Sequence, residues 1–296
     1  MKNGNQILPA SPSALKLYVS AMRPRTWPLS LAPVCIGTSM VRRDVDLALF
    51  LCALLFSLFI QIGTNLANDY FDFVKGADNA HRIGPLRACA SGLIEPRSIY
   101  RTALAFFASA LFVAIPLMVR VGLWSLPIAA SCVLFGIFYT GGKKPLGYLG
   151  LGEILALIFF GPVACCGAYY LQTGLIRFSV FLSALSPGLL SVAVLVANNL
   201  RDEKSDRLAG KWTLIARLGR TFGSWEYALC ILLAGIIPYF IARSSFQLLP
   251  MAILPASYPL IRKAFCFDHP KELIGLLKGT VLLLVAYTVL FSIAWM

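Results

Sequence analysis

Nine apolar segments alternate with polar connections along the 296 residues of this chain. Most of them are about 16–22 residues long, which is enough or nearly enough for an α-helix to cross roughly 30 Å of hydrocarbon. The eighth segment is the weakest, because it is short and contains Pro250, Pro255 and Pro259. The pattern predicts an all-α, polytopic membrane protein with nine transmembrane helices, near residues 26–41, 47–68, 99–119, 123–140, 151–172, 178–199, 225–242, 246–261 and 276–295.

Composition agrees with this prediction, since 58% of the residues are hydrophobic and the mean hydropathy is +0.77. The stretch before the first predicted helix lacks the apolar core of a cleaved signal peptide, and it carries Lys16, Arg23 and Arg25. We therefore expect residues 1–22 to form a cytosolic N-terminal segment.

Basic residues are distributed unevenly between the two sides of the predicted bundle. The chain has 26 Lys and Arg against 13 Asp and Glu, a net charge of +13. With the N-terminus inside, the basic residues concentrate in cytosolic segments, as the positive-inside rule requires. The charge then indicates membrane topology rather than nucleic-acid binding, with the N-terminus in the cytosol and the C-terminus outside. Five basic residues lie in the predicted outer segments: Arg42, Arg43, Arg120, Arg177 and Arg243.

Amide and carboxylate side chains cluster at the ends of the second and sixth apolar segments. Carboxylates at the edge of hydrocarbon are costly and persist mainly where they have a partner. The first cluster is spaced i, i+3, i+4, i+7 and the second i, i+4, i+8, so each forms one stripe of a helix. The first contains Asn65, Asn68, Asp69 and Asp72, and the second Asn198, Asp202 and Asp206.

Two facing stripes of oxygen ligands suit Mg²⁺, which binds through few carboxylates together with the phosphates of a substrate. A single cluster of this kind is better explained as a helix end that dips into water. Two matching clusters at equivalent positions favour a shared metal site for a diphosphate.

The repetition of the clusters also indicates how the chain is organised. Four predicted helices separate them, so both lie on the cytosolic side, and each precedes a loop with glycine and lysine (75–76 and 210–211). We predict one transmembrane domain, 1–296, with pseudo-repeat halves at about 23–140 and 151–261 and a final helix at 276–295. The clusters would then face each other across a central cavity beneath cytosolic cap loops.

Basic residues flank both clusters. A diphosphate leaving group needs its developing charge neutralised by metal and by Arg or Lys donors. Positive-inside topology is the competing explanation, but for Arg82 and Arg87, at the two ends of an Ile-Gly-Pro-Leu turn, we favour the functional one. The candidate diphosphate-binding residues are Lys75, Arg82, Arg87, Arg201 and Lys211.

A third cytosolic turn joins the fourth and fifth predicted helices. It contains a glycine pair followed by Lys143 and Lys144, which makes it tight and basic. Tyr139, at its start, either contacts an aromatic acceptor or a diphosphate, or belongs to an interfacial aromatic belt.

Histidine and cysteine do not account for the chemistry. The chain has two histidines, and its eight cysteines show neither metal-ligand spacing nor a disulfide framework. A histidine-based metal site or catalytic triad is therefore not expected, and the cysteines are interpreted as small apolar side chains.

Together these segments resemble the motifs of UbiA-superfamily intramembrane prenyltransferases. Within that superfamily they look like the branch that acts on 1,4-dihydroxy-2-naphthoate in menaquinone synthesis. The resemblance covers roughly residues 20–225 and includes the opening 23–28, the acidic segments with their loops, and the turn 139–152. Glu153 is a departure, because bacterial members of this branch often carry Asp there.

The resemblance implies a helix bundle with a lateral opening to lipid, in the bacterial cytoplasmic (inner) membrane. It implies transfer of a polyprenyl group from polyprenyl diphosphate to 1,4-dihydroxy-2-naphthoate, with loss of CO₂ and diphosphate, giving demethylmenaquinone. Two Mg²⁺ ions would bridge the diphosphate to the protein. The implied metal ligands are Asn68, Asp69, Asp72, Asp202 and Asp206, with Asn65, Asp78 and Asn198 in support, and the implied catalytic residues are Asp72, Asp202, Lys143 and Tyr139.

The implied partners are the polyprenyl diphosphate, the naphthoate and membrane lipid, with no nucleic acid. The runs 159–160 (Phe-Phe) and 169–170 (Tyr-Tyr) either line an isoprenoid tunnel or face lipid, and we expect lipid. The sequence leaves the length of the prenyl chain and the oligomeric state open.

Two alternative functions are compatible with the sequence. Another aromatic acceptor, such as 4-hydroxybenzoate or homogentisate, is one, although the turn at 82–87 argues against it. A cation-coupled secondary transporter is the other. Transporters place polar residues near the bilayer midplane with broken helices on both sides, whereas here the carboxylates lie at cytosolic ends and the outer loops are short.

Overall fold

The computed structural model describes residues 13–42, 44–77 and 87–296, and within these ranges it contains helices and no strand. The predicted site residues Asp78 and Arg82 lie outside the described residues. The helices are α1 (Ala14–Met22), α2 (Trp27–Ser39), α3 (Leu47–Val74), α4 (Pro96–Val121), α5 (Leu126–Phe138), α6 (Gly152–Ile158), α7 (Ala164–Thr173), α8 (Phe178–Leu208), α9 (Leu214–Leu218), α10 (Arg220–Ile241), α11 (Ile253–Phe265) and α12 (Leu273–Trp295).

Six helical segments within the described residues are long and apolar enough to cross a membrane, so the chain is an integral membrane protein. They are α3, α4, the α6–α7 pair, α8, α10 and the segment Pro270–Trp295 that contains α12. The other three predicted spans contain α2, α5 and α11, which have 13 residues each. At about 1.5 Å per residue these reach only about 20 Å, so helix length does not confirm the predicted count of nine spans.

A π-helical turn, Phe159–Val163, joins α6 to α7 and breaks the regular α-helix. Gly161 within it has non-helical dihedrals, φ −115° and ψ −107°, and is followed by Pro162. The turn packs tightly on α8, because a Cβ on Gly161 would lie 2.8 Å from the carbonyl oxygen of Ala184. The aromatic pair 159–160 at the start of this turn lines a cavity inside the bundle.

Two main groups of buried residues hold the bundle together. One is centred on α8 and takes in side chains of α2, α7, α10 and α12. The other joins α1 to α3 and α4, with Leu66 and Ile99 fully buried at its centre. Helix α2 precedes α3 in sequence, but it packs mainly on α7 and α12. Helix α2, which belongs to the first predicted half, therefore contacts α7 of the second predicted half and the final helix.

Helices α3 and α8 are the longest of the described helices, with 28 and 31 residues. Helix α3 is capped at its N-terminus by Asp46, whose side chain accepts the N–H of Leu49 at 3.1 Å. The polar C-terminal turns of both helices are buried within the bundle, including Asp69 and Asp72 on α3 and Asp202 and Asp206 on α8. These two ends carry the acidic clusters.

Candidate functional site

Two cavities adjoin each other inside the bundle. The larger one, about 350 Å³, is mostly apolar and lies among α2–α8. The smaller one is polar and lies at the C-terminal ends of α3 and α8. We call them the apolar cavity and the polar cavity. Five residues line both and so mark their junction: Arg23, Asn68, Tyr139, Leu195 and Asn198.

Both acidic clusters contribute to the polar cavity. Helix α3 supplies Asn68 and Asp72, and helix α8 supplies Asn198, Asp202 and Asp206. The two helix ends, about 130 positions apart in sequence, therefore face one space, as a shared diphosphate site requires. The remaining polar and charged lining comes from Arg23, Arg87, Tyr139, Thr140, Asn199, Ser205 and Lys211.

At the α3 end, Asp72 accepts two hydrogen bonds from distant parts of the chain. Tyr148 donates its hydroxyl to Oδ1 at 3.0 Å, and Arg87 donates Nη2 to Oδ2 at 3.2 Å. Asn68 accepts the hydroxyl of Thr140 at 2.8 Å. A carboxylate has about four lone-pair positions, so Asp72 retains acceptor capacity for a further ligand.

Asp69 occupies a different position from its neighbours on the stripe. It is fully buried, and Oδ2 accepts the backbone N–H groups of Ala88 and Cys89 at 3.1 and 3.4 Å. It does not line the polar cavity. The structure thus places Asp69 apart from the predicted metal ligands, because its carboxylate anchors the chain that returns after residue 87.

At the α8 end, the carboxylates pair with cations that are close to them in sequence. Arg201 donates Nε to Asp202 Oδ1 at 2.7 Å and Nη2 to the side-chain amide oxygen Oδ1 of Asn198 at 2.7 Å. Lys211 Nζ lies 3.6 Å from Asp206 Oδ1. Asn199, which follows Asn198 on α8, donates its side-chain amide to the buried carboxylate of Glu153 on α6 at 2.8 Å.

The cavity carboxylates control the charge of Lys211. Burial alone would lower the pKa of Lys211, but Asp206, Asp72 and Asp202 outweigh it, so the pKa is raised above its ordinary value. Lys211 is therefore a fixed positive charge at neutral pH. Burial lowers the pKa of Lys75, with Asp72 acting in the opposite direction.

Other predicted site residues lie beside the cavities or away from them. Lys75 donates Nζ to the carbonyl oxygen of Thr140 at 2.6 Å, and Arg201 donates to Asp202. Thr140 and Asp202 line the polar cavity, so Lys75 and Arg201 lie at its border. Asn65 lines the apolar cavity and donates to the carbonyl oxygen of Met22 at 3.1 Å. Lys143 is exposed and lines neither cavity.

The structure also adds residues that the sequence did not single out. Arg23 lies at the junction of the cavities, and it is the one non-glycine residue with positive φ, 51°, among the described residues. Thr140 and Tyr148 bind Asn68 and Asp72. The signals for Arg23 were its charge just before the first apolar segment and its place in the 23–28 segment that resembles the family. Nothing in the spacing linked Tyr148 to a carboxylate 76 positions earlier.

The apolar cavity contradicts our expectation for two aromatic runs. Phe159, Phe160 and Tyr170 line this cavity, and Tyr169 is buried in the core around α8, so these side chains do not serve mainly as lipid-facing surface. At the end remote from the polar cavity, Tyr170 packs edge-to-face on Trp124, with ring centroids 5.4 Å apart. From Trp124 to Tyr139 the cavity follows α5 for about 20 Å.

The donor set fits Mg²⁺ that takes part of its coordination from a substrate. Among the described residues, no three His, Cys, Asp or Glu side chains lie close enough together to hold a metal ion by themselves. The carboxylates are instead split between two helix ends, with Asn68 and Asn198 as amide donors. A hard cation held by one or two carboxylates plus phosphate oxygens needs this kind of arrangement.

Comparison with known proteins gives consistent results. The UbiA prenyltransferase family matches residues 30–273. The 1,4-dihydroxy-2-naphthoate octaprenyltransferase of Mycobacterium tuberculosis is 38% identical over 225 residues, 75% of this chain and 76% of that protein. The protein of the same name from Haemophilus influenzae is 32% identical over 295 residues, 94% of this chain and 95% of that protein.

A solved structure shares the fold. A UbiA homolog from Archaeoglobus fulgidus, bound to GPP and Mg²⁺, has a TM-score of 0.65 at 16% identity and covers 93% of this chain and 99% of that one. Sequence identity this low shows a shared fold and no more. The family model, in contrast, matches most of the chain, residues 30–273. The chain therefore belongs to the UbiA prenyltransferase family and is an integral membrane aromatic prenyltransferase.

Proposed function

We propose that this protein transfers a polyprenyl group from polyprenyl diphosphate to 1,4-dihydroxy-2-naphthoate in a Mg²⁺-dependent reaction. Diphosphate and CO₂ leave, and the immediate product is the quinol form of demethylmenaquinone, because the reaction includes no oxidant. The observation that carries the proposal is the junction of an acidic polar cavity with a long apolar one. A polyprenyl diphosphate has the same division, with a charged head and a hydrocarbon tail.

The two cavities determine how the donor would bind. Its isoprenoid tail would lie along α5 in the apolar cavity, past Phe159 and Phe160, and its diphosphate would lie in the polar cavity. The allylic carbon would then be at the junction, beside Asn68, Tyr139 and Asn198. Apolar walls on one side exclude water, which would otherwise capture an allylic cation.

Asn68, Asp72, Asp202 and Asp206 would hold Mg²⁺, with Asn198 in support, and two bound ions would neutralise the diphosphate as it leaves. Lys211 and Arg87 line the same cavity and would add donors to the diphosphate oxygens. Lys75 and Arg201 would assist from its border. Asp78 and Arg82 remain predictions for the segment outside the described residues.

The chemical step follows from this placement. The bond between the allylic carbon and the diphosphate oxygen breaks, and its electron pair leaves with the diphosphate. The ring carbon of the naphthoate that bears the carboxylate forms the new carbon–carbon bond. The carboxylate departs as CO₂ and returns its electron pair to the ring. The protein contributes orientation and fixed charge.

The choice of acceptor is supported by the relatives, which are named for transfer to 1,4-dihydroxy-2-naphthoate. They also favour a bacterial cytoplasmic membrane as the location. The distribution of basic residues supports the N-terminus in the cytosol and the C-terminus outside. A bundle of nine spans follows if α2, α5 and α11 cross the bilayer with the turns that flank them.

The test is a transfer assay with purified protein. Labelled geranylgeranyl diphosphate, Mg²⁺ and 1,4-dihydroxy-2-naphthoate are expected to give a prenylated product that has lost the carboxylate, identified by mass. EDTA should stop the reaction, and added Mg²⁺ should restore it. Parallel reactions with 4-hydroxybenzoate and homogentisate test the acceptor. Transfer to either of these in preference to the naphthoate would contradict the proposal.

A further inference from the structure

Tyr148 connects the two acidic helix ends, although it was not among the predicted site residues. It lies on a short helical turn, Leu146–Leu149, between α5 and α6, and is buried. Its backbone carbonyl oxygen accepts the N–H of Trp212 at 3.1 Å. Since Trp212 directly follows Lys211, this bond joins the turn to the loop after α8.

The turn itself is closely packed, which fixes where the Tyr148 side chain points. Gly147 donates its N–H to the carbonyl oxygen of Tyr139 at 2.9 Å, and a Cβ on Gly147 would lie 3.0 Å from that same oxygen. Gly150 has φ +78°, and a Cβ there would lie 3.2 Å from the carbonyl oxygen of Trp212. The backbone on both sides of Tyr148 therefore has little room to shift.

The hydroxyl of Tyr148 is directed at the α3 end of the site. It donates to Asp72 Oδ1 at 3.0 Å, and Arg87 engages the other carboxylate oxygen. A phenol is protonated at neutral pH and can therefore act as this donor. The hydrogen bond from Tyr148, together with that from Arg87, fixes the orientation of the Asp72 carboxylate at the edge of the polar cavity.

The ring of Tyr148 is close to one lysine from each half of the site. Lys75 Nζ and Lys211 Nζ each lie 5.8 Å from the ring centroid, within the range of a cation–π interaction. Lys75 follows the α3 cluster and Lys211 follows the α8 cluster. One aromatic ring thus neighbours both ammonium groups, and its hydroxyl binds the Asp72 carboxylate.

We propose that Tyr148 is a positioning residue that couples the two halves of the diphosphate site. Its hydroxyl orients the Asp72 carboxylate for metal binding, and its ring holds the Lys75 and Lys211 ammonium groups where a diphosphate can bind them. This inference rests on the proposed function for the identity of the ligand. The hydroxyl acts on metal binding and the ring acts on diphosphate binding, so Tyr148→Phe and Tyr148→Leu can distinguish the two effects.

The test measures donor binding and needs no acceptor. Thermal stabilisation of the purified protein is titrated with geranylgeranyl diphosphate at a series of Mg²⁺ concentrations. Tyr148→Phe removes only the hydroxyl, so the Mg²⁺ concentration for half-maximal stabilisation should rise about tenfold, as for lost partners of other metal ligands. Donor affinity at saturating Mg²⁺ should change little.

Tyr148→Leu removes the ring as well. Loss of two cation–π contacts should weaken donor binding at saturating Mg²⁺ by about tenfold beyond the effect of Tyr148→Phe. The effect of Lys211→Met on donor binding should also be smaller in the Tyr148→Leu background than in the parent, because the ring acts through that lysine.

A matched control separates positioning from general stability. Tyr227 is also buried, and its hydroxyl pairs with Thr280 at 2.7 Å, but it lines neither cavity. Tyr227→Phe should lower the melting temperature of the unliganded protein and leave both titrations unchanged. Tyr148 variants that behave in the same way would overturn the inference.

Two further results would also refute it: an unchanged Mg²⁺ midpoint for Tyr148→Phe, or additive effects of Tyr148→Leu and Lys211→Met. If the leucine variant does not purify as a monodisperse protein, the phenylalanine variant alone decides through its Mg²⁺ midpoint. The transfer assay on the parent protein tests the proposed function separately. A parent that binds donor but does not prenylate the naphthoate would refute that acceptor and leave these titrations interpretable.

Discussion

The acidic ends of α3 and α8 look alike in sequence, but they are built differently. At the α3 end, the partners come from far along the chain: Arg87 and Tyr148 bind Asp72, and the backbone at 88–89 binds Asp69. At the α8 end the cations are local, since Arg201 precedes Asp202 directly and Lys211 is five positions beyond Asp206. The α3 end is therefore assembled by tertiary structure, and the α8 end largely by its own helix and loop.

The difference shows that a stripe of carboxylates does not assign one role to all its members. Asp69 and Asp72 are three positions apart, yet one anchors a returning segment and the other faces the polar cavity. Substitutions should therefore separate them, with large catalytic effects at the cavity and effects on stability at the anchor.

The largest effect is expected for the cavity carboxylates. Asp72→Asn or Asp202→Asn should each lower kcat/KM for prenyl transfer by at least about a hundredfold, because each removes a charge that would bind metal in the proposed site. The exposed residue Asp268 provides the control, since Asp268→Asn makes the same change far from the cavities. Near-normal turnover by either cavity variant, measured on monodisperse protein, would eliminate the shared metal site.

The next effect distinguishes two lysines predicted from sequence. Lys211→Ala should raise KM for the prenyl diphosphate by about tenfold to a hundredfold, because it removes a charged donor that lines the polar cavity. Lys143→Ala should leave KM unchanged, because Lys143 is exposed outside both cavities. Initial rates at varied donor concentration measure both. An equal rise for the two lysines would restore Lys143 to the site.

A smaller, structural effect is expected for Asp69. The backbone N–H groups of Ala88 and Cys89 both donate to Oδ2, which Asn can replace with its own oxygen. Asn removes the negative charge that strengthens these bonds, and it puts an amide group in place of Oδ1, which lies 3.8 Å from Arg87 Nε. The free energy of unfolding should fall by about 1–3 kcal/mol. The melting temperature reports this loss. The folded fraction should retain kcat within about tenfold of the parent, in contrast to Asp72→Asn.

The smallest effect is expected at the partner of Asn199. Glu153→Gln keeps an oxygen that can accept the Asn199 amide, so both kcat and KM should stay within about threefold of the parent values. A large loss of activity with unchanged melting temperature would show that the negative charge of Glu153 takes part in the reaction. Steady-state rates and thermal unfolding of the same preparation distinguish the two outcomes.

Much of the fold follows from the sequence because hydrophobic length and helical spacing are local properties. They predicted the all-α membrane bundle and the faces on which Asn68, Asp72, Asp202 and Asp206 lie. They did not fix the number of spans, because α2, α5 and α11 are shorter than the apolar runs that contain them. Helix ends depend on prolines, caps and packing as well as on hydropathy.

The site was only partly predictable for a related reason. Spacing gives the direction of a side chain on its own helix, but not what the rest of the chain places opposite it. The contacts of Asp69 with residues 88–89 and of Tyr148 with Asp72 are made by loops that return from elsewhere. Phe159 and Phe160 line the apolar cavity beside the π-helical break at Gly161, and apolar periodicity does not reveal that break.

Manganese binding, measured by electron paramagnetic resonance, tests most directly whether the ends of α3 and α8 together bind one diphosphate. Mn²⁺ is titrated into the parent protein, Asp72→Asn and Asp206→Asn, with geranylgeranyl diphosphate present. If the ends act together, either substitution should abolish tight Mn²⁺ binding together with donor binding. If each variant instead kept half of the bound Mn²⁺ and the full donor affinity, the two ends would be independent sites and the account would be contradicted.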